Sequence, residues 1–551
     1  MYGKFDARHY PVTETGVCFK SDDAVKTYVF NRAEEICRGN ISVFGDMKVL
    51  MEGAKYIGVW LETQPMGGEF YASRNMEVAL NNHLIFMKNQ RRDGRLPGMI
   101  RYMPPWMGVT VHYDWFQGDF FTPSALRMYY LLGKDNEYLS ALYDCLRDLD
   151  SYLWANRANN PDRCLEAWCV WDNAEDNSTE LLANGIHASK NGAWCGEEPP
   201  TEHGRMPYRS AAFMGYSHSQ LTALAEISDM LGNGEGHIWR ARAAEVRDLA
   251  KKGLWDEEIG AFYDSDRDGN RIYCLTQKNI KCMYHGLMDK EMAERFVREH
   301  LMNPREFNTL FPLPAIAAND PLFYINKDEN NLSPEALAEV RRNSEHDSLD
   351  NSWAGPSQGL TYQRAIDALL RYGYHAEVTY LGRKLTENLY REQKFVQQYH
   401  PHTGKASEGV DGYGPTALAA LEYVTHLCGV DYASDRFTWS SLCDGAASTF
   451  TQKLFGDEYT LTRTADGTAT ASKNGEPLFS FTDGVRIVTD CHGNILEMFG
   501  AESEATTVTV EANGRKISFT AQPNGRYTFN EFENKTAIQW TVNFRQRIAV
   551  F

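Results

Sequence analysis

Nowhere in the 551 residues do roughly 18 apolar residues follow one another, so no membrane-spanning helix is expected. The opening MYGKFDARHY has no basic stretch ahead of an apolar run, which predicts a cytoplasmic chain. Basic charge is also in short supply. With 56 Lys and Arg against 74 Asp and Glu, the formal charge of -18 repels polyanions, and no basic patch interrupts it. Neither nucleic acid nor a membrane is an expected partner. The 11 cysteines include no CxxC pair, so reduced, buried thiols are expected rather than a disulfide framework or a zinc ribbon. No glycine loop of the phosphate-cradling or dinucleotide-binding kind is present, and no cofactor is expected. Asp264, Asp266, Asp268 and Gly269 begin like a calcium loop, but the position that should close the cage with a Glu is Leu275. His400 and His402 flank Pro401 without a further ligand cluster, so no metal site is expected either.

Apolar residues at 43% and charged residues at 24% describe ordinary globular material, and the length suits a large catalytic unit with an appendage. Aromatics reach 12%, with 12 Trp and 29 Tyr. Such rings are more often core than ligand platforms, yet their faces are what sugars stack on.

From about residue 22 to 430 helical periodicity dominates and comes in pairs. MEVALNNHLIFMKNQ places Val78, Leu80, Leu84, Ile85 and Met87 at helical spacing and stops at Asp93-Gly94. Further helices are predicted near 122–133, 136–157, 213–232, 236–253, 289–301, 354–373, 375–391 and 413–428. Links within a pair are short, such as 132–135 and 371–374, which makes the partners antiparallel. Links between pairs (92–120, 158–212, 254–275, 344–358 and 394–414) are long and rich in Trp, Asp, Gly and Pro. Such loops gather at one end of a helical scaffold, where chemistry usually sits. The segment 40–64 looks extended. After about Val430 alternating runs such as TTVTV at 506–510 are punctuated by Asp466-Gly467, Asn474-Gly475, Asp483-Gly484, Asn513-Gly514 and Asn524-Gly525, the turn chemistry of a small antiparallel sandwich.

Four stretches concentrate reactive side chains. EAWCVWDNAEDNST, Glu166 to Thr179, sets Asp172, Glu175 and Asp176 beside Trp168 and Trp171; aromatic neighbours desolvate a carboxyl and keep it protonated, as cleavage of a glycosidic bond requires. A solvated, helix-capping acidic turn is the plainer reading of the same spacing. KFVQQYHPHTGKASEGVDGYGPTAL crowds Gln397, Tyr399, Glu408, Asp411 and Tyr413 ahead of an apolar helix, and Glu408 is a candidate holder of the attacking water. The segment from Asp350 offers Trp353 and the Gly355-Pro356 turn as a platform, and HYDWFQGDFF adds Asp114, Trp115, Gln117 and Asp119.

Together these stretches resemble the six-hairpin alpha-toroid glycosidase clan, nearest to the mannosylglycerate-hydrolase-like and processing alpha-glucosidase (glycoside hydrolase family sixty-three) groups, with trehalases more distant. DNAEDNS at 172–178 is similar to the clan's DSGMDNS, Trp353-Ala354-Gly355-Pro356 to its WRGP, and DGYGPTAL at 411–418 to its D-x-Y-x-W-T-A-L. The resemblance spans roughly 70–430. It implies a mainly α fold, an (α/α)6 toroid followed by a C-terminal β-sandwich, divided as 1–70, 71–430 and 431–551. It implies an inverting hydrolase of a short alpha-linked oligosaccharide or glycoside, with Asp176 as general acid and with Trp115, Gln117, Trp171, Asp172, Trp353, Gly355, Tyr399 and Tyr413 around a small carbohydrate. One position departs from the pattern: QQYHPHTG at 397–404 stands where relatives carry ENYDPETG, so Gln397 replaces the general base and Glu408 is the next carboxylate downstream. A sugar-binding barrel without catalysis, or a toroidal sugar isomerase with paired histidines at the barrel mouth, are the alternatives.

Overall fold

A computed structural model describes residues 15–103, 108–187, 204–344, 353–442 and 445–529, with the backbone of 539–540. Six helices, Gln64–Phe70, Phe121–Leu131, Ala211–Leu231, Lys278–Tyr284, Gly359–Leu370 and Gly414–Cys428, each pack against the next, and the last packs against the first. These helices are buried on nearly every side. Gly414–Cys428 and Lys278–Tyr284 have no exposed position at all.

A second set covers them from outside. Met76–Lys88, Asn136–Asn156, Gly236–Leu254, His375–Glu392 and Ala24–Gly39 each lie against an inner helix. Here the pattern is one-sided: Tyr138, Leu139, Leu142, Leu146, Leu149 and Leu153 line the buried stripe of Asn136–Asn156, as a 3.6-residue period requires. Asp135 begins that helix by accepting from the amides of Glu137 and Tyr138, and left-handed Gly232 (φ 67°) ends Ala211–Leu231, the usual division of capping chemistry.

The outer helices Met76–Lys88, Asn136–Asn156, Gly236–Leu254 and His375–Glu392 fall where periodicity put them, whereas Ala24–Gly39 was not among the expected helices. Two inner ones, QPMGGEF and KNIKCMY, were not expected, because a short helix buried all round has no apolar stripe to read. The helix expected from residue 354 begins only at Gly359: Ser357–Gln358 first pairs as a strand with Gln398–Tyr399. The extended reading of 40–64 matches the Ile41–Phe44/Met47–Leu50 hairpin and the strand Gly58–Trp60.

Beyond Cys428 the described chain forms two antiparallel sheets of six strands each, one of which gains a seventh strand from the N-terminal segment. Their inner faces meet through aromatic pairs: Phe437 stacks on Tyr459 at 4.2 Å, and Trp439 meets Phe479 edge-on at 5.6 Å. Asn474-Gly475 and Asn513-Gly514 take positive φ in two-residue hairpins. The first strand, Val17–Ser21, pairs with Ser448–Leu454, so the N-terminal segment is sewn into the C-terminal sheet, and the helical body starts upstream of residue 71, at Ala24. Buried Arg486 joins sheet to helices, donating to the carbonyls of His375 (2.6 Å) and His426 and to Thr379 Oγ1.

No helix among the described residues is long and apolar enough to cross a membrane. Six of the free cysteines are buried, as expected of small apolar side chains. Cys428 corrects the expectation of reduced thiols throughout, since it is disulfide-bonded.

Candidate active site

The segment Asp172–Ser178 distributes its polar side chains by direction. Asp172 points inward, accepting from the amides of Phe116 and Trp168 (both 2.7 Å) and from Arg157 Nη1 (2.7 Å), itself stacked 3.6 Å over the Trp168 ring. Asn173 donates to the hydroxyls of Tyr208 and Ser210. Glu175 receives Lys281 Nζ at 2.8 Å and Gln277 Nε2 at 3.0 Å, and Lys278 below it binds Asp264 (2.5 Å) and Glu180 (2.6 Å). Left-handed Ala174 and Asn177 (φ 56° and 55°) bend the chain sharply on either side of Asp176. The bend turns Asp176 out of this network and into a cavity.

That cavity encloses about 180 Å³, room for one sugar ring, and is lined by Glu52, Tyr56, Trp60, Glu62, Trp115, Gln117, Trp171, Asp176, Asn177, Trp353 and Gln397. Four tryptophans and three carboxyl groups in one small hollow combine stacking faces with groups able to exchange protons. Trp115 and Trp171 meet edge-on at 4.9 Å, and the Trp115 indole N–H donates to Gln117 Oε1. The Trp353 amide donates to the Asp176 carbonyl at 2.9 Å.

The carboxyls differ in their surroundings. Burial, reinforced by the negative charge of Glu62, pushes Asp176 up to about 7, against the pull of Lys281 and Lys55. Burial also raises Glu62, but the Arg364 guanidinium opposes it, bonding Oε2 at 2.7 Å while Gln117 Nε2 reaches Oε1 at 3.2 Å. Glu52 is held well above the ordinary range by burial and by Glu62, with the Tyr413 hydroxyl donating to it. Gln397 accepts the Tyr56 hydroxyl at 2.7 Å.

Of the residues singled out in the sequence, Trp115, Gln117, Trp171, Asp176, Trp353 and Gln397 meet at this cavity. The others do not reach its wall. Asp172 is consumed by Arg157 and backbone amides. Tyr399 is buried behind, its hydroxyl donating to the Lys394 carbonyl, and Gly355 lies against the Tyr324 backbone. Tyr413 stands one layer back, edge-on to Tyr56 at 5.9 Å and bonded to Glu52. Glu408 corrects an expectation: it sits exposed on an outer turn, away from the lining. Within the long link 158–212, Trp194, Glu197, Glu198 and Glu202 lie outside the described residues, while Arg205 pairs with Asp266. Asp264 and Asp266, which imitate a calcium loop, are engaged instead by Lys278 and by Asn270 and Arg205.

Sequence reading missed Glu52, Tyr56, Trp60 and Glu62. Their signal was available in VLMEGAKYIGVWLET, where carboxylates interrupt an otherwise apolar extended run.

Three carboxyl groups and four tryptophan rings facing one small cavity, on a core of packed helices, are able to hold a sugar and to exchange protons with it. Residues 70–440, about two thirds of the chain, match the family model of the mannosylglycerate hydrolase MGH1-like glycoside hydrolase domain. The chain belongs to that family and is a glycoside hydrolase. Among solved structures it is similar to a GH63 mannosylglycerate hydrolase from Thermus thermophilus in complex with glucose, at 16% identity and TM-score 0.56, over 72% of this chain and 100% of that one. A sialidase aligns over 87% of this chain and 42% of its own, at 13% identity and TM-score 0.62. A GH78 family rhamnosidase from Bacillus sp. GL1 aligns over 86% and 41%, at 13% identity and TM-score 0.52. At these identities the likeness is one of fold.

Proposed function

We propose that the protein is an inverting glycosidase acting on a short alpha-linked oligosaccharide or glycoside, with one terminal sugar enclosed among Trp60, Trp115, Trp171 and Trp353 and with Asp176 as the general acid. The observation that carries this reading is the Asp176 carboxyl, turned into a sugar-sized cavity and held near pH 7 by burial and Glu62. An acid with that affinity for its proton still holds it in about half of the molecules at neutral pH, where an ordinary carboxyl would have lost it, and can pass it to a leaving oxygen. Glu62, fixed by Arg364 and Gln117, suits ring hydroxyls as a hydrogen-bond acceptor. The closed sequence of contacts among the six inner helices supports an (α/α)6 toroid with the cavity at one end, and the two antiparallel sheets suit the accessory sandwich of 431–551. For a cytoplasmic location the buried free thiols speak in favour and the disulfide at Cys428 against.

Gln397 favours a second reading, a barrel that binds sugar without cleaving it, because an amide cannot deprotonate water. The isomerase alternative loses support, since among the described residues no histidine lines the cavity. A panel of disaccharides and aryl glycosides, with the anomer of the first-formed product read by NMR, tests the proposal. Release of the inverted anomer is expected; binding without turnover would establish the second reading.

A further inference from the structure

Gln397 leaves an inverting mechanism without a proton acceptor at that position, yet the cavity wall beside it contains a carboxyl group that forms no ion pair among the described residues. Glu52 follows the strand Met47–Leu50. Its amide donates to the Gly58 carbonyl at 3.1 Å and its carbonyl accepts from Gly414 at 2.8 Å, so the backbone is fixed at both ends. The residue is 4% exposed and that remaining surface faces the cavity. Among the described residues it enters no ion pair, whereas Glu62 has both oxygens committed to Arg364 and Gln117.

Glu52 and Gln397 belong to one continuous patch. The Tyr413 hydroxyl donates to Glu52, the Tyr413 ring meets the Tyr56 ring at 5.9 Å, and the Tyr56 hydroxyl donates to Gln397 Oε1 at 2.7 Å. With Oε1 engaged, the Gln397 amide presents its N–H donors, which can orient a water by its oxygen but cannot take its proton. A neighbouring carboxyl can once it is ionised: burial and the charge of Glu62 strengthen the hold of Glu52 on a proton, as a base needs, while the Tyr413 hydroxyl favours the ionised form.

We propose that Glu52 is the catalytic base, and that Gln397 and Tyr56 position the water it activates. The water oxygen bonds to the anomeric carbon as the exocyclic C–O bond breaks with its electron pair. The water's proton passes to Glu52, and the Asp176 proton passes to the leaving oxygen. Exchange with solvent then returns a proton to Asp176 and removes one from Glu52, and nothing is oxidised or reduced. The inference rests on the hydrolytic reading above and on Asp176 as acid.

The test compares the full-length wild type with Glu52→Gln and Glu52→Asp on one cleaved glycoside and its activated aryl counterpart, with and without azide. Both variants are first checked against the wild type by thermal unfolding. Loss of a base lowers kcat by about 10²-fold or more for both substrates alike, because departure of the aryl group does not replace the missing nucleophile activation. Azide, which needs no deprotonation, restores turnover of the aryl substrate by Glu52→Gln and gives the glycosyl azide of inverted configuration. Glu52→Asp, which withdraws the carboxyl by one methylene, retains more activity than Glu52→Gln at similar KM. Full activity of Glu52→Gln, or a loss confined to KM, overturns the role of Glu52 while leaving the hydrolytic reading intact. A wild type that cleaves neither substrate overturns both. Should Glu52→Gln fail to fold, Glu52→Asp decides by the same kcat and KM comparison.

Discussion

The backbone amide of Trp353 donates to the backbone carbonyl of Asp176 at 2.9 Å, tying together two loops that the sequence separates widely. The Trp353 ring and the proposed acid are thereby set at a fixed offset, and catalytic geometry tolerates little looseness. The Lys281 ammonium and Arg364 guanidinium, each 5.7 Å from the Trp353 ring centroid, secure the same ring from behind.

Asp176→Asn keeps the shape of the acid and removes its proton. Cleavage of substrates with poor leaving groups should fall by about 10²-fold or more, while activated aryl glycosides, which need little protonation, lose much less. The ratio of the two kcat/KM values for variant and wild type checks this; equal losses on both would count against Asp176 as the acid.

The pH dependence follows from the raised affinity of Asp176 for its proton. Because the acid must be protonated, kcat/KM should decline as pH rises through about 7, and the decline should vanish in Asp176→Asn. Folding carries the opposite mark. A carboxyl that is harder to ionise when folded than when unfolded penalises the fold as pH climbs from the ordinary carboxylate range to about 7. Asp176→Asn should therefore raise the thermal midpoint above pH 7 and leave it nearly unchanged near pH 4, in paired melts across that range.

Arg364 is fully buried against Phe120, at 4.0 Å from the ring centroid, and neutralises Glu62. Arg364→Met leaves that carboxylate buried without compensation, a loss of about 3–5 kcal/mol. Arg364→Met combined with Glu62→Gln should recover much of the midpoint in a thermal melt but not the affinity for sugar.

Asp172 and Arg157 form a second buried pair, at 2.7 Å with neither side chain more than 1% exposed. Since the pair lies beneath the cavity rather than in it, Asp172→Asn should lower stability by about 3–5 kcal/mol, while the surviving folded enzyme keeps its KM within a few-fold. Denaturant unfolding and kinetics on the same preparation separate the two effects.

Much of the architecture was legible because its signals are local. Outer helices such as Asn136–Asn156 must hide one stripe and show another, and the hairpins at Asn474-Gly475 and Asn513-Gly514 need residues that accept positive φ. Asp176, Trp115, Trp171 and Trp353 could likewise be picked out, since each lies in a polar, aromatic loop joining two such pairs. The sequence by itself thus determined the mainly helical class of fold with its C-terminal sheets, and it picked out the loops whose side chains line the cavity, Asp176 among them. Tertiary structure alone decided which carboxyls face one another. Asp172 and Asp176, four positions apart, point to opposite sides because Ala174 turns left-handed between them, and Glu408 is exposed although it is near Gln397 in sequence. Glu52 and Glu62 come to the cavity from a segment more than a hundred residues before Asp176, brought there by closure of the inner helices. Such proximity has no local signature, because burial and electrostatic coupling depend on distance in space and not along the chain.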